Sequence, residues 1–361
     1  MTIYTDEIRA YSKLILSTMA ADGEYGEYIF LSFSDSYIYL TSRDSFFGRI
    51  RLHFKNDEDA PIEDIYINTL AFITLCLEYE ELSVEVTDSD HRYTFFVDEE
   101  RFEIPMLRGS IDKSNYDYET YEAITFTPDT LAKIKSASHF TGTYDESLNM
   151  DSVYLSGDQV VATDRFQLYA GTTEVQSREY ILASSAIPFL SLQEDNFVMF
   201  FGPSQIFFNF NEGEAEFGVP NMEDNGVISL VNSNEYKQTL DIKSSFIVEK
   251  QELLDILKFF EGLVRKEVNQ QLFMVINSTD SISVIAASEE VKGNRDLNWC
   301  EAVDDLIDYK LSFGRATMVQ ALKSIHDDFI EIWTDTDPQS RVFICTGKTD
   351  TTIKIATAKF V

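Results

Sequence analysis

The chain is poor in the residues that staple, kink or switch a fold. Its three cysteines (Cys76, Cys300 and Cys345) stand far apart, with no Cys-x-x-Cys pair. That speaks against a disulfide framework or a structural zinc site and fits buried free thiols in a reducing compartment. Seven prolines in a chain that is 44% hydrophobic argue against disorder. The four histidines (His53, His91, His139 and His326) are scattered without metal-ligand spacing, and neither Gly-x-Ser-x-Gly nor His-Glu-x-x-His occurs. No pair of carboxylates can be placed across a cleft, so neither an enzyme nor a cofactor is expected. No apolar run approaches a membrane span, and Met1–Glu7 lacks the basic start and apolar core of a secretion signal. The sequence therefore reads as cytoplasmic and not membrane-bound, and the sequon at Asn277 carries no weight. Cations are scarce beside anions. Lys and Arg number 29 against 62 Asp and Glu, a formal charge of −33. Charge of that sign repels nucleic acid at long range and on its own argues against tight duplex binding.

What is abundant is repetition. Val160-Val161-Ala162-Thr163-Asp164 is an apolar, β-branched run that stops at a small polar corner, which predicts a strand entering a turn. Looser versions are Ile38-Tyr39-Leu40-Thr41-Ser42-Arg43-Asp44 and Ile282-Ser283-Val284-Ile285-Ala286-Ala287-Ser288. Their last residues are 120 and 124 positions apart. A helical pattern opens near Ile3, Phe126 and Val248, at intervals of 123 and 122, with Thr5 and Thr127 as expected N-caps and Pro128 at a first helical position. Second helices are expected over 67–77, 182–192 and 313–325, the middle one starting late if Pro188 is to fall in its first turn. Strand-rich runs follow each. The pattern predicts three related α+β domains, 1–120, 121–243 and 244–361, joined near Asp112–Glu122 and Asn232–Lys243. Gly347-Lys348-Thr349 imitates the end of a phosphate loop, but Val342 stands where the first glycine belongs and strand-like runs flank it, so a hairpin is expected.

Three such domains, with Leu148-Asn149-Met150 followed by Val160 to Leu168 in the middle one, resemble the bacterial β sliding clamp, the DNA polymerase III beta subunit family. These residues are similar to the family's Leu-Asn-Gly and Val-Ala-Thr-Asp-Gly-His-Arg-Leu. Tyr236-Lys237-Gln238-Thr239-Leu240 is similar to its Tyr-Arg-Arg-Val-Leu. The resemblance implies repeated DNA-clamp domains, helices lining a channel and antiparallel sheets outside, with two chains closing head to tail into a six-domain ring. It implies a processivity factor whose partners are duplex DNA, a replicative DNA polymerase, a clamp loader and a second copy of itself. The alternative is a clamp-fold interaction scaffold that no longer encircles DNA.

The resemblance also assigns residues. A partner-peptide pocket would use Leu148, Thr163, Arg165, Phe166, Gln167, Leu168 and Thr239, with Ala358 and Val361 of the C-terminal segment beside it. Arg165-Phe166-Gln167 stands where the family has Gly-His-Arg, and the ending Ala356 to Val361 replaces its Met-Pro-Met-Arg-Leu, which implies an altered pocket. The channel would draw on Arg9, Lys13, Lys133, Lys135, Lys258, Arg265, Lys266, Arg315 and Lys323, which read equally as ordinary solvated helix charges. Ring closure would set Phe102 and Ile104 of the first domain against Leu263 and Val264 of the third.

Overall fold

Alternation of side chains decides most of this architecture. In Ser244-Ser245-Phe246-Ile247-Val248-Glu249 every second residue is buried, as a strand with one face on a core requires. The computed structural model describes residues 1–17, 27–41, 48–56, 63–85, 92–97, 99–107, 109, 118–142, 151–164, 167–183, 186–190, 196–203, 205–210, 213–218, 244–263, 271–287, 292–334, 342–347 and 353–357.

The first strands are β1 (Thr2–Tyr4), β2 (Tyr28–Ser32), β3 (Tyr37–Thr41), β4 (Gly48–His53), β5 (Ile65–Asn68), β6 (Glu81–Glu85), β7 (Arg92–Val97) and β8 (Glu100–Leu107). Next come β9 (Glu122–Phe126), β10 (Ser152–Thr163), β11 (Gln167–Ala183), β12 (Phe197–Phe201), β13 (Gln205–Phe210) and β14 (Gly213–Gly218). The last are β15 (Ser244–Glu249), β16 (Gln271–Ser278), β17 (Ser281–Ala287), β18 (Lys292–Asp296), β19 (Cys300–Ala302), β20 (Lys310–Gly314), β21 (Phe329–Thr334), β22 (Val342–Gly347) and β23 (Ile353–Thr357). The helices are α1 (Asp6–Ala10), α2 (Ser12–Ser17), α3 (Thr69–Glu78), α4 (Pro128–Ser138), α5 (Ile187–Leu190), α6 (Lys250–Leu263) and α7 (Arg315–Lys323).

The chain divides into two compact units, Met1–Leu131 with Leu182–Asn221, and Ala132–Ile181 with Met222–Val361. The first holds a twelve-stranded sheet in the order β1-β6-β7-β8-β5-β2-β3-β4-β14-β13-β12-β9. The second holds a seven-stranded sheet, β10-β11-β23-β22-β21-β15-β19, and a four-stranded one, β18-β17-β16-β20. The pairings across both long sheets are antiparallel, as are those of the four-stranded sheet. In the second unit Leu253, Leu257 and Phe260 of α6 and Met318, Ala321 and Leu322 of α7 meet Phe246, Val248, Ile330 and Ile332 in one core.

The three corner strands appear where alternation places them, as β3, the end of β10, and β17. Residues Gly347 and Ile353 end and begin antiparallel partners, so the phosphate-loop imitation is a hairpin. The first-turn cap at Thr127 forms, its Oγ1 accepting from the Thr130 N–H at 3.3 Å, with Pro128 opening α4. Thr5 does otherwise. Its hydroxyl donates to the Tyr79 carbonyl at 2.6 Å and makes no cap bond, and the expected first helix is broken at Tyr11 into α1 and α2. The first repeat's second helix starts at Thr69 because Asn68 caps it, accepting from the Ala71 N–H at 3.0 Å. Over 182–192 the described residues form only one short helix, α5. Strand β11 runs on to Ala183, and Pro188 then sits in the first turn, where a missing N–H is harmless. The expected joints fall largely on 110–117 and 219–243, outside the described residues.

All three cysteines are free and buried. Burial pushes the Cys76 and Cys300 thiols up from their ordinary range, which starves them of reactive thiolate. A thiol-specific reagent at pH 8 is therefore expected to count no cysteine in the native protein and three after guanidinium unfolding. Rapid labelling of the native chain would contradict the burial.

Candidate nucleic-acid interface and partner pocket

The pocket residues gather on the β10–β11 hairpin. Asp164 ends β10, and its carboxylate accepts from the Gln167 N–H at 2.6 Å and from Gln167 Nε2 at 3.3 Å, an Asx-type turn that draws the next strand back. Thr163 Oγ1 donates to the Gln167 carbonyl at 2.7 Å, closing the corner from the other side. Strand β23 then lies beside β11, with Gln167 opposite Ala356 and Leu168 opposite Ile355. Thr163 and Leu168 are buried, and Phe140 sits on Tyr169 with ring centroids 5.6 Å apart. Gln167 Oε1 is buried without a partner among the described residues, an acceptor left for an incoming N–H. The structure thus brings Thr163, Gln167 and Leu168 together, with Ala356 and Ile355 of β23 beside them. Leu148, Arg165, Phe166, Thr239, Ala358 and Val361 lie outside the described residues.

The helix cations fall into two groups. Lys13, Lys258 and Lys323 are exposed on α2, α6 and α7. Arg9 is committed to structure. Its guanidinium donates to the carbonyls of Cys76 and Tyr79, each at 3.1 Å, where positive charge suits the C-terminal end of α3. Arg315 pairs with Glu261 at 3.3 Å, linking α7 to α6, and Lys133 is buried in α4 with Lys135 half-buried beside it. Arg265 and Lys266 lie outside the described residues. Counted together, the described helices carry eight Lys and Arg and seven Asp and Glu, net +1. The rest of the chain carries the remaining 21 and 55, net −34, so the acid is concentrated outside those helices.

Two sheet junctions follow one rule. The strand that follows the corner strand of one expected repeat pairs antiparallel with the last described strand of the next, β4 with β14 and β11 with β23. At the first, Arg51 opposes Glu214 and Arg49 opposes Glu216. Arg51 reaches Glu214 at 2.6 Å and lies over the Tyr37 ring at 5.0 Å. Burial works against the Arg51 charge, but Glu214 outweighs it and holds the guanidinium protonated more firmly than in water. Burial and the nearby Asp35 push the Tyr39 phenol beside it up to about 12. At the second junction Gln320 of α7 donates to the His139 carbonyl at the end of α4.

Of the closure residues, Ile104 is buried in its own unit, whereas Phe102 is half-exposed and leans on Tyr79 at 5.8 Å between ring centroids. Leu263 ends α6, and Val264 lies outside the described residues. Sequence reasoning missed Phe259, one turn before Leu263 on the same face of α6. It is 43% exposed and holds the Arg295 guanidinium 3.9 Å from its ring centroid. An aromatic out of step with the buried Leu253, Ile256, Leu257 and Phe260 was the signal. Among the described residues no cluster of His, Cys, Asp or Glu could hold a metal, and no helix is long and apolar enough to cross a membrane.

Helix-and-sheet repeats joined edge to edge through their strands define the DNA-clamp fold. The chain shares it with solved structures of the bacterial DNA polymerase III beta subunit. That of Borrelia burgdorferi aligns with a TM-score of 0.80 at 14% identity, over 100% of this chain and 98% of the other. That of Thermotoga maritima gives 0.78 at 13%, over 100% and 99%. The DNA polymerase sliding clamp of Bacillus subtilis gives 0.76 at 16%, over 100% and 98%. No family model and no curated protein matches the sequence.

Proposed function

We propose that this chain is a DNA polymerase processivity factor, a non-enzymatic sliding clamp. Three domains, 1–120, 121–243 and 244–361, double by head-to-tail dimerisation into a six-domain ring around duplex DNA. The ring tethers a replicative polymerase through the Thr163–Leu168 pocket and is placed on DNA by a clamp loader. The observation that carries this reading beyond the fold is the charge partition. Helices that line a channel need to tolerate phosphates, and these helices are nearly neutral inside a chain of charge −33. A ring holds DNA by topology, so weak contacts from Lys13, Lys258 and Lys323 suffice, and weak contacts let it slide.

The junction rule supports closure. Within one chain it leaves β18, the strand after the corner strand β17 and an edge of its sheet, and β8, which pairs with β7 along Glu100–Pro105 and with β5 only at Met106 and Leu107, to pair with those of a second copy. Strand β18 carries Lys292, Arg295 and Asp296, net +1, and β8 carries Glu100, Arg101 and Glu103, net −1, with Arg101 paired to Glu103 at 2.7 Å.

The scaffold reading draws on Arg9, Arg315 and Lys133 being spent inside the protein. The deciding experiment pairs light scattering with retention on nicked circular plasmid in high salt. The clamp reading expects twice the 41.4 kDa chain mass. It also expects retention that ends when the plasmid is linearised. A dimer that washes off circular and linear DNA alike makes the protein a scaffold, and a strict monomer removes the ring.

A further inference from the structure

The seven-stranded sheet turns Phe246, Val248, Ile330, Ile332, Cys300 and Ala302 toward the helices of the second unit. Alternation sends their neighbours to the opposite face. Across β19, β15 and β21 the register sets Glu301, Ile247 and Glu331 in one row. The row on one side holds Glu249 and Phe329, with Trp299, the residue before β19, meeting the Phe329 ring, and the row on the other side holds Trp333 opposite Ser245. The chain has two tryptophans, and both lie on this face.

The face is apolar where solvent would favour polar groups. Trp299 is 41% exposed, Phe329 39% and Val303 44%. The Trp299 and Phe329 rings meet edge to face with centroids 4.8 Å apart. Trp299 is held from α6, where the Glu252 carboxylate accepts from the backbone N–H groups of Asn298 (2.7 Å) and Trp299 (3.4 Å) and from the Asn298 side chain. The rings are thus presented on a braced edge. Between and beside them stand the carboxylates of Glu249, Glu301 and Glu331, and exposed Asp304 and Asp305 follow on the same edge.

We propose that this face docks an arginine- or lysine-rich segment of another protein that also carries apolar side chains. The argument is charge complementarity. Aromatic faces attract cations, and carboxylates interleaved with them add a Coulomb term that a neutral or acidic partner cannot use. The same carboxylates exclude nucleic acid, and a second copy of a chain with charge −33 meets them with repulsion. The inference goes beyond the clamp reading and does not depend on it.

The two tryptophans make the test direct, because their emission reports only this face. The intact protein is titrated with a peptide of alternating arginine and leucine, and with one of alternating arginine and serine of equal charge. The expected result is a saturable emission shift, with the leucine peptide binding at least about tenfold more tightly. The shift is lost in Trp299→Ala/Phe329→Ala, with Trp333 as the remaining reporter, and weakened about tenfold or more in Glu301→Lys, whose exposed site leaves the circular dichroism unchanged. Equal binding of the two peptides, or titrations that these substitutions leave unaltered, would mean attraction to the acidic surface alone and would overturn the proposal.

Discussion

If the proposed ring forms, Lys292→Glu with Arg295→Glu is expected to turn its dimer into a folded monomer and to abolish retention on circular DNA. On β18 these cations lie on the strand left for a second copy, and β8 answers with Glu100 and Glu103. Reversal sets glutamates against glutamates along one edge, and like-charge juxtaposition across an interface costs several kcal/mol. A loss of about 3 kcal/mol raises the dissociation constant on the order of a hundredfold. Arg295 also leaves its seat on Phe259, which unsettles the face of α6 nearest the closure. Restoring the complement in the same chain, with Glu100→Lys and Glu103→Lys added, is expected to recover the dimer. Sedimentation velocity of the wild type, the double variant and the quadruple variant decides it. A double variant that stays dimeric, or a folded quadruple variant that stays monomeric, places the closure elsewhere. Leu263→Lys with Val264→Lys is expected to act in the same direction, since an interface there would bury two ammonium groups without partners.

Helix α6 carries the second prediction, a contrast between its two faces. Phe260 is wholly buried among Val248, Leu257 and Met318 of the second unit's core. Phe260→Ala removes a ring that the surrounding strands cannot close over, and is expected to cost about 3–5 kcal/mol of stability. Lys258, two positions earlier, is exposed. Lys258→Glu with Lys323→Glu is expected to leave stability within about 0.5 kcal/mol, as surface substitutions do. On the clamp reading it should nevertheless shorten retention on circular DNA in low salt, because it shifts the charge of each chain by −4 on helices proposed to face phosphates. Denaturant melts and plasmid retention separate the two effects. A large loss of stability in the lysine variant, or none in Phe260→Ala, would reverse the assignment of the faces.

The strands were the most legible part of the chain. Val160–Thr163, Ile38–Thr41 and Ile282–Ala287 announce themselves by apolar, β-branched runs, and all three are strands. Longer helices were legible through their caps and stripes, as with Pro128 and Thr127 at α4. The first helix was not. Ile8 and Ile15 keep helical spacing, yet the helix breaks at Tyr11, and Thr5 and Arg9 bond carbonyls at the end of α3, some 70 residues away. Local pattern carries no information about a carbonyl supplied by another element. The candidate pocket was half legible for the same reason. Thr163 and Leu168 stand in a recognisable motif, but that β23 runs beside them is a matter of register.

The sequence by itself determined the strand periods, the buried thiols and the excess of acid, because each is a property of composition or of neighbours within a few residues. Tertiary structure alone decided which cations stay exposed, with Arg9 and Arg315 bound inside and Lys258 and Lys323 left out. It also decided that β4 meets β14 and β11 meets β23, and that both tryptophans share one acidic sheet face. Those outcomes depend on partners brought together from distant positions, where burial and hydrogen-bond geometry, rather than residue type, set what each side chain can do.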